Sequence, residues 1–248
     1  MKTLSIEDIP AITAGRPMDE VSEKYSFIPT TKVINDLSEL GWEPSRYEGS
    51  QKSHFGRHLI RFRHADISPQ MVKVGDEIPE IVLLNSHDCT SSFQMKAGIF
   101  RLACSNGLIV AEEMFKTLRI KHIHYSLDQV KMAVSQFAGG LPSIMDKVSE
   151  MKRVFLSESQ INQLANHALF LRFPDANTID VPLRSALQRI RAADSDNSLW
   201  TVMNVLQENI LRGRMRTRKG RKVKAITETS RVVEFNQKLF SAACSLLI

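Results

Sequence analysis

Between Arg212 and Lys224 the chain carries Arg212, Arg214, Arg216, Arg218, Lys219, Arg221, Lys222 and Lys224, with no acid among them. The first four recur at every second position, so an extended backbone would turn all four guanidiniums to one face. Gly213 and Gly220 oppose a stable helix, and Gly220 stands where a hairpin turn would return the chain through Arg221 to Lys224. The chemistry that suits such an arm is contact with a phosphate backbone. Arginine matches phosphate oxygens with two parallel hydrogen bonds, and each neutralised phosphate releases counterions. The alternative is a solvated loop that binds nothing in particular.

The charge balance makes this segment the exception in its chain. The 248 residues hold 33 Lys and Arg against 27 Asp and Glu, a net charge of +6. Setting the eight cations of the segment aside leaves 25 against 27, so the basicity is local.

A second basic surface is expected on the sheet. Arg57, His58, Arg61 and Arg63 lie on or near one strand, and Arg119 and Lys121 on another. Arg61, Arg63 and Lys121 therefore join the eight as candidate backbone contacts. Tyr47, Phe55, Phe62 and Phe93 are interleaved with these charges, and aromatic rings stack on unpaired bases.

Metal and catalytic chemistry find less support. His122 and His124 would share a face of a strand and could ligate a metal together, and His87 precedes Asp88. No third and fourth ligand stands at a recognisable spacing, and H-E-x-x-H, phosphate-loop, G-x-S-x-G and dinucleotide signatures are absent. Cys104, between Ala103 and Ser105, has no assigned base to activate it. The expectation is a protein that is not an enzyme and uses no cofactor or metal. Cys89, Cys104 and Cys244 are far apart, which fits reduced thiols in the cytoplasm. Residues 1–24 lack a basic head before an apolar run, and no stretch approaches the ~18 apolar residues of a membrane span.

The elements that must position these residues fall into two halves. Ile78 to Val110 is the most apolar and β-prone stretch and reads as the centre of a sheet, with Ile81, Val82, Leu83 and Leu84 as a strand buried on both faces. Phe93 to Cys104 reads as a strand returning through Ser105, Asn106 and Gly107 into Leu108 to Val110, or else as a short helix over Met95 to Cys104. Before it, Pro29 and Thr30 open a helix with Val33, Ile34, Leu37 and Leu40 on one face, closed by Gly41. Ser45 to Ser53 is a polar strand or loop, and His58 to Arg63 and Lys116 to His124 alternate as strands do.

After Ser126 the pattern is helical. One helix is expected to break or bend at Gly139, Gly140 and Pro142. Ser157 and Gln160 form a capping box for the next, and others follow over Leu183 to Arg191, Ser198 to Leu211, and from Thr229 or Ser230 onward. The expected class is α+β: an arm over 1–24 that docks on a neighbouring subunit, a helix plus mostly antiparallel sheet over 25–125, and a helical cover over 126–248 containing the basic loop 212–224.

Several segments together carry a resemblance. YSFIPTTKVINDLSELGWEP (25–44), HLIRFRH (58–64), PEIVLLNSHD (79–88), FRLACSNGLIV (100–110) and LWTVMNVLQENILRG (199–213) resemble a large family of phage- and plasmid-borne proteins classed as a domain of unknown function, over roughly residues 25–248. That family implies a mobile-element setting and transfers no catalytic residues. More distantly, the element order, with a helix ending in Leu-Gly-Trp before the sheet, resembles the single-strand annealing recombination proteins of the RecT and Red-beta type and the eukaryotic annealing mediators. This likeness implies a ring or filament of subunits that holds single-stranded DNA with its bases exposed, without ATP. Partners it implies are a recombination nuclease or a host single-strand-binding protein.

The leading expectation is thus a single-stranded DNA-binding protein that anneals strands. A duplex DNA-binding regulator or inhibitor of host defence is the second, and a metal-dependent nuclease using His87, Asp88, His122 and His124 the third. Replacing Arg214, Arg216, Arg218 and Arg221 by Ala is expected to abolish binding and leave folding intact.

Overall fold

The computed structural model describes residues 9–21, 25–50, 52–66, 77–101, 107–109, 118–120, 126–175 and 180–247. In chain order they form α1 (Pro10–Thr13), α2 (Thr30–Ser38), β1 (Trp42–Gly49), β2 (His58–His64), β3 (Glu77–Asn85), β4 (Phe93–Arg101), β5 (Gly107–Ile109) and β6 (Leu118–Ile120). The helices α3 (Leu127–Arg153), α4 (Glu158–Arg172), α5 (Leu183–Ala186), α6 (Leu199–Leu211) and α7 (Thr229–Cys244) follow, with a 3-10 turn at Ala192–Asp194. This is the expected α+β class.

The chain divides into two compact units. The first holds the described residues up to Gly140 except Arg101 and β5, which belong with residues from Leu141 onward in the second. The division therefore lies within α3 and not at the 125/126 boundary expected from composition. One reason is Phe137, whose ring meets Trp42 edge-on at 5.2 Å and ties the start of α3 to the sheet.

In the first unit β1, β2, β3 and β4 lie side by side, and β6 pairs antiparallel with the start of β4. Ile81 to Leu84 are all buried, as are Leu59, Ile60 and Phe62 on β2. Both faces of these strands are therefore covered, which is why they read as near-continuous apolar runs. The polar stretch after Trp42 is a strand. It tolerates Pro44 because β1 is the first strand in the order and its register shifts between Pro44 and Arg46. At that bulge the Ser45 hydroxyl donates to the Arg61 carbonyl at 3.1 Å. Phe93–Arg101 is a strand and not a helix. The turn expected at Ser105–Asn106 lies outside the described residues.

Two expectations are corrected here. Residues 9–21 dock on their own chain: Ala11 and Ile12 are buried, and the Met18 N–H donates to the His87 carbonyl at 3.0 Å. Apolar Ile9, Ala11 and Ile12 are the cause. Pro29 and Thr30 open α2 as expected, with Pro29 at the cap position and no side-chain cap bond, so the Thr30 side chain is not spent on the helix end. Its hydroxyl instead lies 2.9 Å from His58 Nε2, 3.2 Å from His87 Nε2 and 3.1 Å from Asn85 Nδ2, in a wholly buried polar cluster. Finally, of the break or bend expected at Gly139, Gly140 and Pro142, the break does not occur: α3 runs uninterrupted through them. Val130, Ala133 and Phe137 before them, and Ile144, Val148 and Met151 after, are buried in one helical phase, and that packing outweighs the missing N–H of Pro142.

The second unit is built around α6, all thirteen of whose residues are buried. Contacts from α4, α5, α7 and the 3-10 turn surround it. Its polar side chains find partners within the unit: Asn204 donates to the Trp200 carbonyl at 2.7 Å, and Gln207 donates to Asn236 through its amide nitrogen. Asn209 donates to the carbonyls of Ala186 and Gln188 at 2.8 and 2.9 Å. That capture ends α5 at Ala186, five residues short of Arg191, because those carbonyls no longer serve a continuing helix.

A candidate nucleic-acid interface at the end of the buried helix

Arg212 caps α6 in helical geometry, and Gly213 then turns the chain with φ +62°. A Cβ at Gly213 would lie 2.4 Å from the Val223 carbonyl oxygen, so the two limbs of the following loop approach as only glycine permits. The limbs form a hairpin. Val223 N–H donates to Met215 O at 3.0 Å, Thr217 N–H to Arg221 O at 2.9 Å, and Gly220 N–H closes the turn on Thr217 O at 2.9 Å. Gly220 has φ +78°, the conformation that made it the expected turn residue.

The hairpin is fastened to its own unit at several points. Met215 is fully buried. Arg216 N–H donates to the Ser185 hydroxyl at 2.7 Å, Arg218 N–H to the Asp180 carbonyl at 2.8 Å, and Ile226 N–H to the Leu211 carbonyl at 2.9 Å. Arg172 reaches the Lys224 carbonyl at 3.1 Å, and burial together with nearby Arg231 lowers the pKa of its guanidinium. With Met215 inward, Arg214, Arg216 and Arg218 alternate outward as the spacing implied. Arg212 lies before the glycine and belongs to the helix end, not to the extended run.

The eight cations divide by partner. Arg214 Nη1 lies 2.7 Å from Glu208 Oε1, and Arg191 grips the same carboxylate with two nitrogens at 2.5 and 2.6 Å. Arg216 donates to the Gly220 carbonyl at 2.9 Å, holding the turn. Arg218, Lys219, Arg221, Lys222 and Lys224 are exposed, and among the described residues none of their side chains meets a carboxylate. These five form the free cationic face. Sequence reasoning missed Glu208, the root of the hairpin. The available signal was that Glu208 is the lone acid in α6, close before the cationic run.

On β2, Arg61 and Arg63 do not form the expected second basic surface. Arg61 is 1% exposed, 3.2 Å from Glu80 Oε2 and 3.4 Å from Glu48 Oε1. Arg63 lies 2.9 Å from Glu80 Oε1 with 18% of its side chain exposed. Arg61 is thus an internal ion-pair residue, and Arg63 spends its charge on the same buried carboxylate. Lys121 lies outside the described residues, as do Cys104, His122 and His124. Phe62 and Phe93 are fully buried and cannot stack on a base; Tyr47 is half-buried and hydrogen-bonds the Ser50 carbonyl at 3.1 Å.

His87 is buried against Thr30 and the Ala11 carbonyl, 2.9 Å away. Asp88 accepts from the Thr90 N–H and hydroxyl at 3.0 and 2.6 Å; although burial opposes ionisation, these and other hydrogen bonds leave its pKa lowered. Burial lowers the pKa of His58, partly offset by the Gly56 carbonyl and Asp88. Among the described residues no three His, Cys, Asp or Glu side chains converge as metal ligands. No helix among them is long and apolar enough to cross a membrane.

Fold and site together define an α+β protein whose helical unit presents an ordered cationic hairpin from the end of a buried helix. The chain belongs to the family described as a domain of unknown function, DUF932, whose model matches residues 17–236. It is similar to two proteins of Escherichia coli strain K12, UPF0380 protein YfjQ and UPF0380 protein YafZ. Each is 29% identical over 236 residues, covering 93% of this chain and 84% of the relative. No solved structure matches it.

Proposed function

We propose that this protein binds single-stranded DNA through the hairpin and, as a cytoplasmic protein of a mobile element, anneals strands without ATP during homologous recombination. The observation that supports this reading is the free cationic face: Arg218, Lys219, Arg221, Lys222 and Lys224, exposed on a fastened hairpin and unmatched by acids among the described residues. An already ordered hairpin backbone avoids the cost of ordering the loop on meeting a phosphate backbone, and contacts to phosphates read no base sequence, which is what annealing needs. Subunits would repeat along the strand in a ring or filament. With residues 9–21 folded onto their own chain, the β1 edge is the remaining candidate for the contact between them. A recombination nuclease or host single-strand-binding protein would act beside it.

A duplex-binding regulator or inhibitor of host defence would use the same cations, and fluorescence anisotropy separates the readings. The protein is titrated on labelled single-stranded and duplex oligonucleotides of one sequence across salt concentrations. Single-strand preference with a log–log slope of about −0.7 per neutralised phosphate supports annealing, and duplex preference at about −0.9 supports the regulator. Absence of binding to either at low salt would overturn both.

A further inference from the structure

The most exposed large apolar side chain among the described residues is Phe155, at 67%. Its backbone is clamped on both sides: Leu156 N–H donates to Asn197 O at 3.0 Å, Leu199 N–H donates to Val154 O at 2.8 Å, and Phe155 bridges Ser198 antiparallel. The ring is therefore held in solvent by a rigid support, while the next residue, Leu156, is buried and Val154 is half-buried.

Phe155 is connected to the hairpin by a traceable path within the second unit. Ser198 caps the start of α6 and the hairpin leaves its end, thirteen residues and about 20 Å away. Residues 186–198 run back along that helix. Asn209 holds Ala186 and Gln188 near the hairpin root, Glu208 holds Arg191, and Arg189 reaches Ser195 O at 2.6 Å and Asn197 Oδ1 beside Phe155's bridge partner. Arg189 is exposed, and among the described residues its side chain bonds only neutral acceptors, Ser195 O and Asn197 Oδ1. Arg153, two residues before Phe155, is likewise exposed, with Nε on the Ser149 carbonyl at 3.2 Å. The nearby acid Asp196 turns one carboxylate oxygen to the N–H and hydroxyl of Ser198.

We infer that Phe155, flanked by Arg153 and Arg189, is a stacking platform for an unpaired nucleobase of the strand whose backbone lies on the hairpin. This rests on the nucleic-acid reading above and deepens it by naming what selects single strands. A base in a duplex has both π-faces covered by its neighbours, whereas an unpaired base offers one to the ring, and the guanidiniums meet the flanking phosphates.

The test compares wild type, Phe155→Ala and Phe155→Leu, full chain, by anisotropy on a labelled oligothymidine and on an abasic strand of equal length. Circular dichroism checks that the variants fold. The expected result is a loss of about tenfold in affinity for oligothymidine in both variants, with the salt slope unchanged and abasic binding unaltered. Unchanged affinity for oligothymidine, or an equal loss on both strands, would overturn the platform while leaving the hairpin reading intact. If unchanged affinity comes with weaker self-association in sedimentation, the ring belongs to a protein contact instead. Wild type that binds neither strand overturns the hairpin reading and this one together.

Discussion

HLIRFRH on β2 and RGRMRTR after α6 place arginines at the same every-second-residue spacing on extended backbone, yet they do opposite work. On β2, Arg61 and Arg63 meet Glu80, which is fully buried. In the hairpin, among the described residues, only the first arginine past Gly213 meets an acid; Arg216 holds the turn, and the cations beyond it are exposed. The difference teaches that a run of arginines is a surface only where the neighbouring elements supply no carboxylate. A buried pair gains Coulomb energy in a poor dielectric but is costly to break, whereas exposed cations contribute little to stability and remain available to a ligand.

The contrast can be broken at its strongest point first. Replacing Glu80 by Ala leaves Arg61 buried without its closest carboxylate, and should lower the unfolding free energy by about 3–5 kcal/mol in urea titrations. A loss under about 1 kcal/mol would mean that water or Glu48 suffices for Arg61.

The opposite change, Ala at Arg218, Lys219, Arg221 and Lys222, should leave stability within about 0.5 kcal/mol. Affinity for single-stranded DNA in about 0.1 M salt should fall roughly 10²–10³-fold, and the log–log slope by about 3. These positions are cleaner than the set expected from the sequence, because Arg214 is tied to Glu208 and Arg216 to the turn. A binding curve that does not move would separate the cationic face from the ligand.

Gly213→Ala should cost about 2 kcal/mol in thermal unfolding, since φ +62° disfavours a side chain and the new Cβ would meet Val223 O. If the variant melts like wild type, the limbs of the hairpin are not held as closely as their geometry requires.

The smallest effect concerns the first unit. Burial holds the His58 imidazole below its ordinary value of 6.5, so the folded state disfavours the proton. That contribution to stability is complete above 6.5 and is lost as pH falls from there toward the lower folded value. The melting temperature should therefore be lower at about pH 5.5 than at about pH 7.5, with a narrower gap in His58→Gln. An equal gap in both proteins would assign the acid sensitivity to a group other than His58.

Legibility in the sequence followed the range of each interaction. The capping box reads directly from Ser157 and Gln160, and both bonds are present, Gln160 N–H to Ser157 Oγ at 3.3 Å and Ser157 N–H to Gln160 Oε1 at 2.9 Å. The return at Gly220 is equally local, as is the apolar run Ile81 to Leu84. Arg61 was misread because its partner Glu80 lies on another strand and meets it through the ladder that pairs Arg61 with Val82. The role of the Thr30 hydroxyl was invisible for a similar reason: its partners, Asn85 and two histidines, lie on distant segments.

The sequence by itself determined the α+β class, the helical character of the chain after Ser126 and the place of the cationic hairpin. Periodicity, turn residues and uncompensated charge act over a few positions and survive without knowledge of the fold. Tertiary structure alone decided which cations are free, where α3 continues through its glycines and proline, and how Glu208 roots the hairpin. Each of those outcomes depends on desolvation and on a partner brought from elsewhere in the chain, and a linear pattern encodes neither.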